Sequence, residues 1–255
     1  MDPNDSLKLL SIVIPARNEA ENLEKCITEI SKSLVNSSIN HQILVIDDGS
    51  TDDTAKVMNK LHQLFPKVEN IKNNGPNGFG RAVVLGLDKF AGDAVAIMMA
   101  DCSDSPKDLI KYWNTLQKGY DAVFGSRFIA GSKLYKYPFG KRILNRIVNT
   151  LISYAFKIKF NDTTNAFKIY RRQVIEGCRP FISPHFNLTV EIPLKTIIRG
   201  YSWTAIPISW KNRTTGIAKL KLKEMGSRYF FIIAYLWLEK YFSRGDYVYK
   251  NKSSN

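Results

Sequence analysis

Residues 94–106 read AVAIMMADCSDSP. The first six are small or aliphatic and predict a strand buried on both faces, as in parallel sheets. Acid appears right after Ala100, and Ser105-Pro106 opens a helix, because proline suits the first helical position. A strand, a short polar loop and a helix form the repeating unit of an open α/β sheet, and such sheets bind ligands outside the carboxyl ends of their strands. Asp101 and Asp104, with Ser103 between them, therefore stand where a carboxylate can hold a divalent cation against a phosphate. A helix cap would account for Asp104 or Ser105. It would not account for Asp101.

The same unit recurs on either side. Residues 9–14 predict a first strand ended by Pro15. Asn18 and Glu19 lead into a helix with apolar Leu23, Ile27 and Ile30. Strands are expected at 43–46, 68–71 and 121–124, and helices from the acidic run at 47–54 to about residue 64, at 81–90 and at 106–117. This alternation predicts a mostly parallel twisted sheet with helices on both faces. The loops 15–19, 47–53 and 101–104 should then converge on one crevice. After residue 126 the pattern changes. A helix at 140–156 begins with Lys141, Arg142 and Arg146. A polar loop and short strand span 160–170, and a helix at 188–198 carries Glu191. A strand at 203–210, a basic loop at 211–223 and an aromatic-rich amphipathic helix at 224–242 follow.

Composition narrows the class. At 255 residues and 44% hydrophobic, the chain can bury one large α/β core. Lys and Arg number 37 against 23 Asp and Glu, a net charge of +14, which favours a polyanionic partner. The acid lies mainly before residue 126 and the basic surplus after it, so an acidic crevice sits beside a basic half. That arrangement disfavours nucleic acid and favours a phosphorylated substrate or an anionic membrane. Cys26, Cys102 and Cys178 form no C-x-x-C pair, which argues against zinc and against a disulfide framework. The N-terminus lacks an apolar signal region, so the expected location is cytoplasmic. Residues 229–238 are apolar, but a spanning helix needs about 20 such residues. This stretch is expected to pack on the domain, lie on a membrane with Arg228, Lys240 and Arg244 near headgroups, or form a dimer surface.

Two motifs remain. Gly75, Gly78 and Gly80 give G-x-x-G-x-G after the third strand, which fits neither a dinucleotide fingerprint nor a P-loop. In 47–54, DDGSTDDT, Asp52 or Asp53 suits a helix cap. Asp47 and Asp48 close the strand, where carboxylates accept hydrogen bonds from a base or a ribose.

Taken with IVIPARNE (12–19), VIDDGSTD (45–52), MMAD (98–101) and FGSR (124–127), these residues resemble the family 2 glycosyltransferases of the GT-A fold. DTTNAFKIYR (162–171) and PISWKNR (207–213) are similar to the dolichol- and polyprenyl-phosphate sugar synthases within that family. The resemblance implies a GT-A domain over 1–223, with a nucleotide-sugar half at about 9–125 and an acceptor half at 126–223, followed by an amphipathic helix and tail at 224–255. It implies that Pro15, Arg17, Asn18, Glu19, Asp47 and Asp48 line the donor nucleotide pocket, that Gly78 admits the nucleotide to the backbone, and that Ala100 borders it. Asp101, with Ser103, would hold Mg²⁺ or Mn²⁺ on the donor diphosphate. Asp101, Asp104 and Arg127 would be the catalytic set, with Arg127 facing sugar or phosphate. Arg142, Arg213 and Lys219 would bind an acceptor phosphate, and Glu191 matches an acidic position of the family.

The chain departs from the family where Met99 replaces the first carboxylate of Asp-x-Asp. The implied reaction is a metal-dependent inverting transfer from a nucleotide-sugar (GDP-mannose or a UDP-sugar) to a polyprenyl phosphate. A sugar hydroxyl in cell-surface polysaccharide assembly is the alternative acceptor. It would need a base, with Asp104 ahead of Glu191. A non-catalytic nucleotide-sugar-binding protein is the alternative that Met99 motivates.

Overall fold

The computed structural model describes residues 7–212 and 222–249, the first four of the second segment by backbone alone. In chain order the elements are β1 (Leu10–Ala16), α1 (Ala20–Asn36), β2 (His41–Asp47), α2 (Thr54–Leu64), β3 (Val68–Lys72), α3 (Phe79–Lys89), β4 (Ala94–Ile97), α4 (Pro106–Leu116) and β5 (Ala122–Ser126). The second half adds β6 (Lys133–Tyr135), α5 (Phe139–Phe156), β7 (Lys168–Arg171), α6 (Arg172–Gly177), α7 (Leu188–Ile198), β8 (Trp203–Pro207), β9 (Ser209–Lys211) and α8 (Leu222–Phe242).

Seven strands form one sheet in the order β3-β2-β1-β4-β7-β5-β8. All run parallel except β7, which lies antiparallel between β4 and β5. β6 and β9 make a separate parallel pair. Side chains alternate across the strands, so each face collects its own core. Ile12, Ile14, Val45 and Ala96 pack under α1, α2 and α4. Val13, Leu44, Ile46 and Val95 pack under α3, α6 and α7. A third layer joins Ile152 and Phe156 of α5 and Ile232 and Leu236 of α8 to Val190 and Leu194 of α7. Among the described residues no helix is long and apolar enough to cross a membrane.

Three boundaries differ from the sequence reading for identifiable reasons. Pro15 lies inside β1, opposite Ile46. Val13 O accepts from Met98 N and Ala16 O from Asp48 N, so odd residues of β1 face β4 and even residues face β2. The missing Pro15 N–H therefore points past the end of β4, where no ladder bond is lost. The strand expected to reach Met99 stops at Ile97, because Met99 N donates to the Asp104 carboxylate instead. The single strand expected at 203–210 divides around Ile208. β8 joins the main sheet and β9 leaves it for β6.

The β3–α3 loop is pressed against a second loop, and glycine makes this contact feasible. A Cβ on Gly80 would lie 2.2 Å from Ser183 O, and one on Gly78 would lie 2.4 Å from Pro184 O. Both obstacles are backbone, so neither can rotate away. Gly80→Ala is expected to cost about 1–3 kcal/mol, the range for overpacking, read as a lower urea midpoint at unchanged slope.

Candidate active site

The carboxyl ends of β1, β2, β4 and β5 open on one edge of the sheet, and the antiparallel β7 brings its amino end to the same edge. Position on that edge explains why distant residues meet. On the β1–β2 side, Asn18 adopts a left-handed φ of 51°. Its N–H donates to Ser50 Oγ at 3.0 Å, and its Oδ1 accepts from Thr51 N at 2.7 Å. Glu19 N donates to Thr54 Oγ1 at 2.9 Å. Asp47 accepts from Ser50 N at 2.9 Å. The 15–19 and 47–53 loops are thus stitched into one wall, with Pro15, Asp47 and Asp48 buried and Arg17 exposed.

Asp48 accepts from Gly78 N at 2.8 Å and from Asn73 Nδ2 at 2.8 Å. It ties the glycine loop to the wall. The close approach that Gly78 permits is to Pro184, not to open space beside a nucleotide. Asp52 behaves as its place before a helix suggests, accepting from Thr54 N and Ala20 N. Burial pushes its carboxyl up, but these bonds and the Thr54 hydroxyl outweigh that and hold it below the usual range.

Asp101 is 8% exposed at the end of β4 beyond Ala100, and its Oδ1 accepts from Ser103 N at 3.1 Å. Cys102 between them takes a φ of 57°, which turns the loop sharply. Asp104 does not cap α4. Its Oδ2 accepts from Met99 N at 3.0 Å, and its backbone bridges to Trp210. Burial pushes the Asp104 carboxyl up to about 7, and the Asp101 charge adds to the shift while Arg127 opposes it.

Because the native Asp104 binds a proton that the unfolded chain gives up near pH 4, stability must fall as pH rises from about 4 towards 7. Relative to Asp104→Asn, the wild type is expected to lose about 2–3 kcal/mol between pH 5 and 8. Paired denaturant curves across that range check this.

Arg127 is spent differently from the expectation. It does not stand open to sugar or phosphate. Nε and Nη2 form a fork on Asp162 at 2.8 and 2.7 Å, and the Arg127 backbone N–H adds a third bond at 2.8 Å. Asp162 is fully buried. Burial works against the guanidinium charge, but Asp162 more than compensates and raises its pKa further. Nη1 donates to Tyr137 Oη at 3.4 Å, and Asn149 Nδ2 donates to Thr164 Oγ1 at 3.0 Å. Arg127 thus acts through position, fixing the 162–165 loop beside the crevice.

Glu191 is also removed from the chemistry. It has no exposed surface, and it accepts from Ile182 N, Ser183 N and Lys195 Nζ at 3.0, 2.8 and 2.7 Å. A carboxylate so enclosed cannot reach a substrate proton, and its work is to hold the 182–185 loop against Gly78 and Gly80. Arg142 is exposed on α5. Its neighbour Lys141 is also exposed, with Nζ 5.6 Å from the Trp210 ring and 5.9 Å from that of Tyr137. The sequence reading named Lys141 only as part of a helix. Arg213 and Lys219 lie outside the described residues.

The model of glycosyl transferase family 2 matches residues 11–178. The chain belongs to glycosyltransferase family 2. It has the GT-A fold expected of that family. The family 2 chain is 31% identical over 219 residues to a dolichol-phosphate mannosyltransferase of Pyrococcus furiosus, covering 84% of this chain and 60% of that protein. It thus spans less than two-thirds of that relative. It is 27% identical over 215 residues to a polyprenol monophosphomannose synthase of Mycolicibacterium smegmatis, covering 82% of this chain and 80% of the relative. Among solved structures, glucosyl-3-phosphoglycerate synthase of Mycobacterium tuberculosis, in complex with Mn²⁺, UDP and glucosyl-3-phosphoglycerate, superposes with a TM-score of 0.69 at 19% identity. That likeness covers 91% of this chain and 80% of the other.

Proposed function

We propose that this glycosyltransferase moves a sugar from a nucleotide-sugar to a polyprenyl phosphate. The observation that carries the reading is the fate of the two carboxylates a hydroxyl acceptor would call on. Glu191 is sealed in a loop anchor, and Asp104 is turned onto Met99 N. An acceptor phosphate is already anionic at neutral pH and needs no base. Its oxygen attacks the anomeric carbon as the bond to the donor diphosphate breaks. The nucleoside diphosphate leaves with the electron pair, and the configuration inverts. The names of the two relatives support the same acceptor class.

The donor would lie along the wall formed by Pro15, Arg17, Asn18, Glu19, Asp47 and Asp48. A divalent cation, Mg²⁺ or Mn²⁺, would be held by Asp101 with the Ser103 hydroxyl nearby. Among the described residues no group of three His, Cys, Asp or Glu could hold a metal without other ligands. One buried carboxylate nonetheless fits an ion that keeps waters and takes its remaining ligands from substrate phosphates. When bound, the cation supplies neutralisation of the leaving diphosphate. Lys141, with the acceptor cations Arg142, Arg213 and Lys219 named from the sequence, would hold the acceptor phosphate.

A second reading rests on Asp104 alone. A carboxyl titrating near 7 is suited to general-base work on a sugar hydroxyl. The two readings separate in one assay. Nucleoside diphosphate release is measured for GDP-mannose, UDP-glucose and UDP-N-acetylglucosamine, with Mn²⁺ or Mg²⁺, against polyprenyl phosphate and against oligosaccharide acceptors. Release that requires polyprenyl phosphate is the expected result and names the donor. Release driven by an oligosaccharide, and lost in Asp104→Asn, would replace the first reading with the second.

A further inference from the structure

Two of the three cysteines meet beneath the loop that carries Asp101. Cys26 lies on α1, and Cys102 lies between Asp101 and Ser103. Cys102 Sγ donates to Asn22 O at 3.6 Å. Within α1 that carbonyl stands one turn before Cys26, on the same face of the helix. From the other side, Cys26 Sγ donates to Met99 O at 3.6 Å, just ahead of Cys102 in the chain. The two thiols stand within hydrogen-bond reach of each other. Both pack with Met98 and Ala100 in the core under α1. Cys178 takes no part, since it is buried in the core of the opposite face of the sheet, beside Thr196.

The pair is asymmetric. Cys26 is 4% exposed, whereas Cys102 is half-buried. An accessible sulfur backed by a buried one is the arrangement in which a first oxidation is captured by a resolving thiol. The position matters as well. Met99 is held on both sides, its N–H by the Asp104 carboxylate and its carbonyl by Cys26. Cys102 takes a left-handed φ of 57°, uncommon for a residue with a Cβ, so the loop keeps its shape through what the Cys102 side chain touches. A disulfide sulfur has no proton to donate. Closing the pair would remove both 3.6 Å bonds. It would also draw the sulfurs to about 2.05 Å, pulling the turn between Asp101 and Ser103 towards α1.

We propose that Cys26 and Cys102 form a dithiol modification site that a peroxide closes to a disulfide, displacing the Asp101 loop and switching off turnover. The loss of turnover rests on the reading of Asp101 as the carboxylate that holds the metal. The disulfide itself does not. In the first step the Cys102 sulfur attacks hydrogen peroxide, the O–O bond breaks, and a sulfenic acid and one water result. Cys26 then attacks that sulfur. The S–S bond forms, the S–O bond breaks, and a second water leaves. Two thiols have given up two electrons and two protons, and the peroxide has been reduced to two waters. A dithiol reductant reverses the change by exchange.

The test treats the reduced full chain with hydrogen peroxide, blocks the remaining thiols and maps its peptides without reduction. A cross-linked peptide holding Cys26 and Cys102, lighter than its parts by two hydrogens, is expected, with Cys178 still open to alkylation after unfolding. Turnover with Mn²⁺ and polyprenyl phosphate should fall about a hundredfold, as for a reacting group misplaced by about 1 Å, and dithiothreitol should restore it. Mn²⁺-dependent binding of GDP or UDP, read by calorimetry, should weaken in parallel. Cys26→Ser should keep the turnover of the reduced wild type, give no cross-link, and accumulate a sulfenic acid at Cys102 that dimedone captures. Absence of the Cys26–Cys102 peptide from the oxidised wild type, or a cross-link through Cys178, would overturn the proposal. So would a disulfide form that keeps both its turnover and its Mn²⁺-dependent nucleotide binding. Nucleotide binding that ignores Mn²⁺ even in the reduced protein would instead remove the metal reading and with it the switch, while the peptide map would still decide the disulfide.

Discussion

Asp101→Asn is expected to lower kcat by about a thousandfold, since the charge stabilisation a divalent cation supplies is worth several kcal/mol. The side chain is nearly isosteric, and the Ser103 N–H that Asp101 accepts at 3.1 Å can be accepted equally by an amide oxygen. Folding should therefore be preserved. Binding of the nucleoside diphosphate should lose its dependence on Mn²⁺, read by calorimetry with and without the ion. The single carboxylate makes this a sharp test. Met99 leaves the first position of Asp-x-Asp empty of charge, and Asp104 is committed to Met99 N. Activity within tenfold of wild type would remove Asp101 from the reaction.

Asp162→Ala is expected to be the most destabilising single change in the crevice. It would leave the Arg127 guanidinium, 7% exposed, as a buried charge without its fork. Breaking such a pair costs about 3–5 kcal/mol, which for a chain of this size lowers the melting temperature by about 10 °C. Lys168 lies in the same network and feels the same loss. Burial pushes its amine down to about 7, and the Asp162 charge is the first influence opposing that shift. Removing Arg127 and Asp162 together should cost less than the sum of the single changes, because neither charge is then left alone. A strictly additive double mutant, by chemical denaturation, would show that the pair is not coupled.

These two residues mark how far the sequence reaches. The placement of Asp101 beyond a buried strand is legible in the sequence because its signal is local: an apolar strand, then a carboxylate. The same holds for the Asp47-Asp48 strand end and for the alternation that predicts the parallel sheet. Asp162 carries no such signal. It sits in a polar run, 35 residues from the arginine it holds, and only the antiparallel β7 brings that run to the catalytic edge. β7 reads only as a short strand after a polar loop, with no sign of its direction, because KIYR begins and ends with charges. Both are buried, Lys168 by carbonyls of Thr163 and Thr189 and Arg171 by those of Tyr120 and Leu116. Glu191 shows the opposite error. An acidic residue on a helix near the crevice looks available until its three donors are seen. The approach of Lys141 to the rings of Tyr137 and Trp210 is likewise something that no helical period predicts.

The central claim is that sugar passes to a lipid phosphate. It is tested most directly by supplying the purified chain with a labelled nucleotide-sugar, divalent cation and polyprenyl phosphate, then partitioning the products between organic solvent and water. Label in the organic phase, released by mild acid as expected of a glycosyl phosphate and absent with Asp101→Asn, is the predicted result. Label that stays in water as an extended oligosaccharide, with none in the lipid phase, would contradict it.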